Sequence, residues 1–164
     1  MVEVDRSILV ATGPEIPYEL LADPLRFPSL FSAFPRVELV SGEARREGVR
    51  YLVSMRIGHI DAGGVQRVTV YRPRREIAFE SEGGVRVSGG ASFRAIDATH
   101  TEVRLRLRYE VPGFRPAARV VESLTRHVVA RHVEATLLSL RRFAEFDQPA
   151  WLQPGEPEGR DRSA

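Results

Sequence analysis

The sequence predicts an α+β protein in which a seven-stranded antiparallel sheet curves around one long C-terminal helix, with two short helices after the first strand. Three observations carry this. From Val37 the apolar residues recur with period two for roughly 70 residues. Residues 117–146 then contain neither Gly nor Pro and change to period 3.6. The resulting order, strand, two short helices, six strands, long helix, puts every helix on one side of the sheet, which must bend to bury both apolar faces. The space between them becomes a cavity.

Taken in order, residues 2–12 alternate loosely and end at "TGP", as a first strand should. In "PEIPYELLADPLRFPSLF", Pro14 and Pro17 lie near one helix start, and Asp23 followed by Pro24 marks a second, as N-cap and first helical residue. Turn signals at "SGEARREG", "DAGG", "RPRR", "EGG" and "DATHT" divide the next stretch into strands at about 36–43, 48–59, 65–72, 75–82, 85–96 and 101–111. Their short connections make neighbours antiparallel. The helix over 117–146 would be about 45 Å long at 1.5 Å per residue, enough to cross the sheet. One ligand-binding domain over 1–146 is expected, followed by a disordered tail over 147–164 in which only Trp151 has reason to dock back.

Composition narrows the chemistry. With 164 residues, 43% hydrophobic, one domain can bury a sizeable core. There is no cysteine, which removes disulfides, thiolate nucleophiles and cysteine-ligated metals. All the basic residues are Arg, and the net charge is only +2. Arg50, Arg56, Arg94, Arg104, Arg106 and Arg108 fall on one sheet face, where Glu38, Glu47, Glu80, Glu102 and Glu110 are available to neutralise them. No nucleic-acid partner is expected, although that face offers an alternative reading as a partner-binding surface. No apolar stretch approaches the roughly 20 residues that span a bilayer, and the N-terminus does not read as a signal peptide. A cytoplasmic protein without an integral membrane segment, monomer or homodimer, is the expectation. Phosphate loops, nucleophile elbows and dinucleotide fingerprints are missing, so no cofactor is expected. His127 and His132 stand about 140° apart around a helix, which suits no shared metal.

Alternation assigns the cavity lining. Tyr51, Val53 and Met55 point inward, and the same phase carries His59 inward at the strand end. Val68 and Val70 follow, with Arg72 inward or at the rim, where its competing role is a surface pair with Glu76. Phe79, Leu107 and Tyr109 complete the strand set. On the long helix the stripe Val121, Thr125, Val128, His132, Thr136, Ser139 and Phe143 faces the sheet. Its hydroxyls and imidazole suggest a wet or ligand-filled space; the competing explanation is hydroxyls bonded to their own helix and a satisfied core histidine.

This element order, with "YELLADPLRFPSLF" and the hairpin "GGASFRAIDATHTEVRLRLRYEVPG", resembles the helix-grip fold of the START and polyketide-cyclase superfamily over residues 3–146. Within it, "FPSLFSAF" is similar to the aromatase/cyclase motif Trp-Pro-Asp-Leu-Phe-Ser-Glu-Tyr. Pro28, Leu30, Phe31 and Ser32 agree, while Phe27 replaces tryptophan and Phe34 replaces tyrosine. The resemblance implies that Phe27, Phe31 and Phe34 wall the cavity mouth around a hydrophobic, oxygenated small molecule: a polyketide, quinone or lipid. It further implies cyclisation or dehydration by acid/base chemistry, with Arg72 holding an enolate or carbonyl and His132, Tyr109 or His59 moving protons. The same superfamily leaves a second reading open, a non-catalytic lipid or quinone carrier.

Overall fold

The structure is a computed structural model and describes residues 1–57, 60–83, 85–110 and 115–152. In chain order it contains β1 (Val2–Val10), α1 (Glu15–Ala22), α2 (Phe27–Leu30), β2 (Arg36–Ser41), β3 (Arg50–Ile57), β4 (Ile60–Arg72), β5 (Glu76–Glu82), β6 (Val87–Asp97), β7 (His100–Tyr109) and α3 (Arg115–Glu145). All seven strands form one antiparallel sheet in the order β1-β7-β6-β5-β4-β3-β2. The helix-grip α+β fold is present.

Local chemistry explains the helical entry. A single 3-10 turn, Pro24–Arg26, separates α1 from α2, and the Asp23 carboxylate caps it by accepting from the Leu25 amide at 3.1 Å. Proline at the first position costs nothing there, because that amide would have no helical partner. The principal core lies where α1, α2 and the C-terminal half of α3 meet β1, β6 and β7, around Leu20, Leu21, Phe31, Phe93, Val103, Leu137 and Leu140. Each such side chain contributes about 1.5–3 kcal/mol by leaving water. The tail continues past α3: a 3-10 turn over Ala150–Leu152 packs Leu152 on this core, and the Arg26 guanidinium lies 3.7 Å from the Trp151 ring centroid.

Two features of β4, its start and a bulge within it, differ from the sequence reading. "DAGG" is not a turn but the start of β4, where Arg56 pairs with Asp61 at 3.0 Å and Met55 opposes Ala62. Glycine and aspartate signal turns only when pairing does not override them. In β4 a bulge at Thr69 puts two residues opposite one, since Val68 pairs with Phe79 and Val70 with Ala78. Every side chain beyond it changes face.

The six expected outer arginines are all paired. Arg104 is bidentate to Asp5 at 2.6 Å, Arg106 reaches Asp5 and Glu3, Arg108 binds Glu3, Arg94 binds Glu102, Arg50 binds Glu82 and Arg56 binds Asp61. Most of these carboxylates come from cross-strand neighbours such as β1 that sequence spacing does not reveal. Among the described residues no helix is long and apolar enough to cross a membrane.

Candidate functional site

Register fixes what faces α3. Tyr51 opposes Gln66, Val53 opposes Gly64 and Met55 opposes Ala62; Val68 opposes Phe79, and Phe79 opposes Gly89, which opposes Leu107. Past the bulge, Tyr71, Ile77, Ala91 and Leu105 form one inward row. Among the described residues the inward positions of β3 to β7 carry no charged side chain. Gly89 makes room at the centre: a Cβ there would stand 3.2 Å from the Phe79 ring and 2.5 Å from the Arg106 carbonyl oxygen.

The bulge overturns two expected site positions. Val70 and Arg72 point to the outer face, and the Arg72 side chain is 68% exposed and paired with Glu76 at 3.5 Å. Tyr71 takes the inward place that alternation had assigned to its neighbours. Its hydroxyl shares a 2.7 Å hydrogen bond with that of Tyr18 on α1, the rings meeting edge to face at 6.2 Å. Burial, reinforced by this bond, pushes the Tyr71 phenol well above its ordinary value and holds it neutral. Above the pair, Arg45 straps the β2–β3 loop to α1 through two bonds to Glu19 at 2.7 and 3.1 Å. The sequence held one signal for Tyr71: an Arg72–Glu76 surface pair requires Arg72 outside and hence its neighbour inside.

The long helix is also rotated from its expected phase. Its buried line runs through Val129, Ala130, Leu137, Leu140 and Ala144, roughly 100° from the centre of the expected stripe. Most of that stripe becomes a half-buried flank, with Thr136 buried as expected and Val121 40% exposed. Thr125 donates to the Val121 carbonyl at 2.8 Å and receives the Tyr109 hydroxyl at 3.3 Å, while Thr136 donates to the His132 carbonyl at 2.8 Å. Both threonines are thus satisfied within their own helix. Val128 and His132 stay half-buried, and His132 borders a recess of about 10 Å³ with Phe31, Ser32, Ala33 and Thr136.

The three phenylalanines cluster together, with Phe27 5.4 Å from Phe31 and 5.3 Å from Phe34 between ring centroids. Phe31 is buried in the principal core and the other two pack on it half-buried, which is the geometry of a plug seating α2 on the sheet. His59 lies outside the described residues.

Sequence reasoning placed Tyr51 inward but missed Gln66 opposite it. The Tyr51 hydroxyl and the Gln66 side-chain carbonyl are buried and have no hydrogen-bond partner among the described residues. An unpartnered buried polar atom costs about 1–3 kcal/mol, so two on facing residues are not an ordinary core feature.

A family model described as polyketide cyclase / dehydrase and lipid transport matches residues 1–145. The chain belongs to this family. Within the polyketide cyclase/dehydrase family, the granaticin polyketide synthase bifunctional cyclase/dehydratase of Streptomyces violaceoruber is 31% identical over 129 residues, covering 75% of this chain and 39% of that protein. The chain therefore spans about two fifths of that relative's length. Zhui aromatase/cyclase from a Streptomyces species shares the fold with a TM-score of 0.78 at 20% identity, over 92% of this chain and 97% of its own. A START superfamily protein from Mycobacterium smegmatis gives 0.71 at 12% identity, over 87% and 97%. At such identities these two structures show that the chain shares their architecture.

Proposed function

We propose that this protein binds a neutral, hydrophobic, oxygenated small molecule against the inner sheet face beneath α3, and promotes its cyclisation or dehydration by proton transfer. The supporting observation is that Val53, Met55, Ile77, Phe79, Leu105 and Leu107 all point inward yet are only half-buried, because α3 packs chiefly along β1. An apolar face of that breadth ordinarily lies against protein or ligand. The uncharged lining selects a neutral molecule, since a buried charge without a counter-charge is strongly disfavoured.

Proton transfer falls to Tyr71, kept protonated and bonded to Tyr18, with Tyr109 and His132 on the α3 side. A phenol of this kind gives a hydrogen bond to a carbonyl oxygen while the His132 imidazole takes the proton from the neighbouring carbon and returns it to the oxygen, so that the enol forms. A second reading, carriage of a lipid or quinone without turnover, is favoured by a specific observation: with Arg72 outside, no cation among the described residues stands on the inward positions of β3 to β7 to hold an enolate. The granaticin relative's activity supports the first reading, and the family's lipid-transport description the second.

Native mass spectrometry of the purified protein, with identification of what copurifies, tests the binding. Val53→Trp and Thr125→Phe fill the space and should lower uptake of the apolar dye Nile red at least tenfold; unchanged uptake by both overturns the site. Tyr71→Phe then separates the readings. It should abolish turnover of a poly-β-ketone while leaving dye binding intact; wild type that binds the ketone without converting it is a carrier.

A further inference from the structure

We infer that Tyr51 and Gln66 form a reading head for a hydroxyl group, so that the site prefers a phenol- or enol-bearing ring to a quinone or an ether. This rests on the binding reading above and deepens it. The two residues are direct cross-strand partners on the inner face, so their Cβ atoms lie about 4.5–5.5 Å apart. Tyr51 is only 2% exposed. Neither its hydroxyl nor the Gln66 carbonyl finds a partner among the described residues, and they do not bond to each other.

The unused capacities are complementary. Burial pushes the Tyr51 phenol up, so it stays protonated and offers an O–H donor, while the Gln66 carbonyl offers an acceptor. Only a group that both accepts and donates satisfies the pair, and a hydroxyl does both. A quinone oxygen or an ether oxygen accepts from Tyr51 but leaves Gln66 unpaired, and a hydrocarbon chain leaves both unpaired. Sites built to bond a hydroxyl discriminate strongly against analogues that lack it, because their own polar groups are then stranded. The surrounding Val53, Val68 and Ile77 supply apolar contact for a ring.

The test measures calorimetric affinity of wild type, Tyr51→Phe and Gln66→Leu for 2-naphthol, 2-methoxynaphthalene and 1,4-naphthoquinone, with Nile red uptake in parallel. Wild type should bind 2-naphthol roughly tenfold more tightly than either analogue, and each variant should lose that preference. Both variants should keep or raise the melting temperature, since each removes a stranded polar atom; a lowered one would mark a structural bond and overturn the inference. Equal affinity for all three compounds, or Nile red uptake without 2-naphthol binding, overturns the reading head and leaves the binding site standing. If 1,4-naphthoquinone wins, the Gln66 amide presents its N–H₂ inward and the inference fails in favour of an acceptor-only ligand. Absence of all binding, dye included, overturns both.

Discussion

Tyr71 and Arg72 are neighbours in the chain and face opposite sides of the sheet. Removing the Tyr71 hydroxyl strands that of Tyr18, so Tyr71→Phe should cost about 1 kcal/mol in a denaturant melt, whereas Arg72→Ala should stay within about 0.5 kcal/mol. The pH dependence follows from the raised Tyr71 phenol. Its folded value lies above the ordinary 10.0, so the folded state holds the proton more tightly than the unfolded chain; this contribution is complete below pH 10 and is lost as pH rises beyond it. Alkaline melts of wild type should therefore fall more steeply above pH 10 than those of Tyr71→Phe, and tyrosinate absorbance compared between wild type and the Tyr71→Phe and Tyr51→Phe variants should show each of these two phenols ionising above the ordinary 10.0. At this scale the sequence was partly legible. Tyr51, Val53, Met55, Val68, Phe79, Leu107 and Tyr109 face as alternation assigned them, while Val70, Arg72 and Tyr71 do not, because a one-residue bulge leaves no mark in residue types. Gln66 was passed over because an amide between Arg67 and Val65 looks like any polar strand residue.

The elements themselves were legible wherever one face is dry. β7 alternates without exception and pairs in register along its length with β1, so its reading held residue by residue. α3 was legible in extent but not in phase: the hydroxyls of Thr125 and Thr136 close on their own helix backbone, which lets them sit in or beside a buried line without calling for water. The glycines of β6 follow packing rather than turn chemistry. At Gly89 an added methyl meets the Arg106 carbonyl and the Phe79 ring, so Gly89→Ala should destabilise by about 1–3 kcal/mol despite alanine's lower chain entropy, as a thermal melt would show.

Across the molecule, the sheet separates a charged outer face from an inner face whose β3 to β7 positions carry no charge among the described residues, while at the β1 edge Arg6, in register with Leu105, reaches Glu134 of α3 at 2.9 Å. Asp5 anchors the exterior: the Arg104 guanidinium bonded to it, with Arg106 beside it, holds its carboxyl below the ordinary 3.8. A depressed carboxylate stabilises the fold at higher pH and loses that contribution as pH falls through its folded value. Asp5→Asn should therefore lower the melting temperature at pH 7, with the gap to wild type closing as the pH drops below 3.8. The bulge in β4 decides which residues belong to which side. With Thr69 present, inward places fall at Val68 and Tyr71, three positions apart; in a strand without it they fall two apart. The bulge thus absorbs one codon: with Thr69 deleted the strand alternates strictly and Val68 and Tyr71 still point inward, whereas closing the bulge with Thr69 retained would turn Val70 and Arg72 inward, so a lineage can gain or lose a residue here without disturbing its interior.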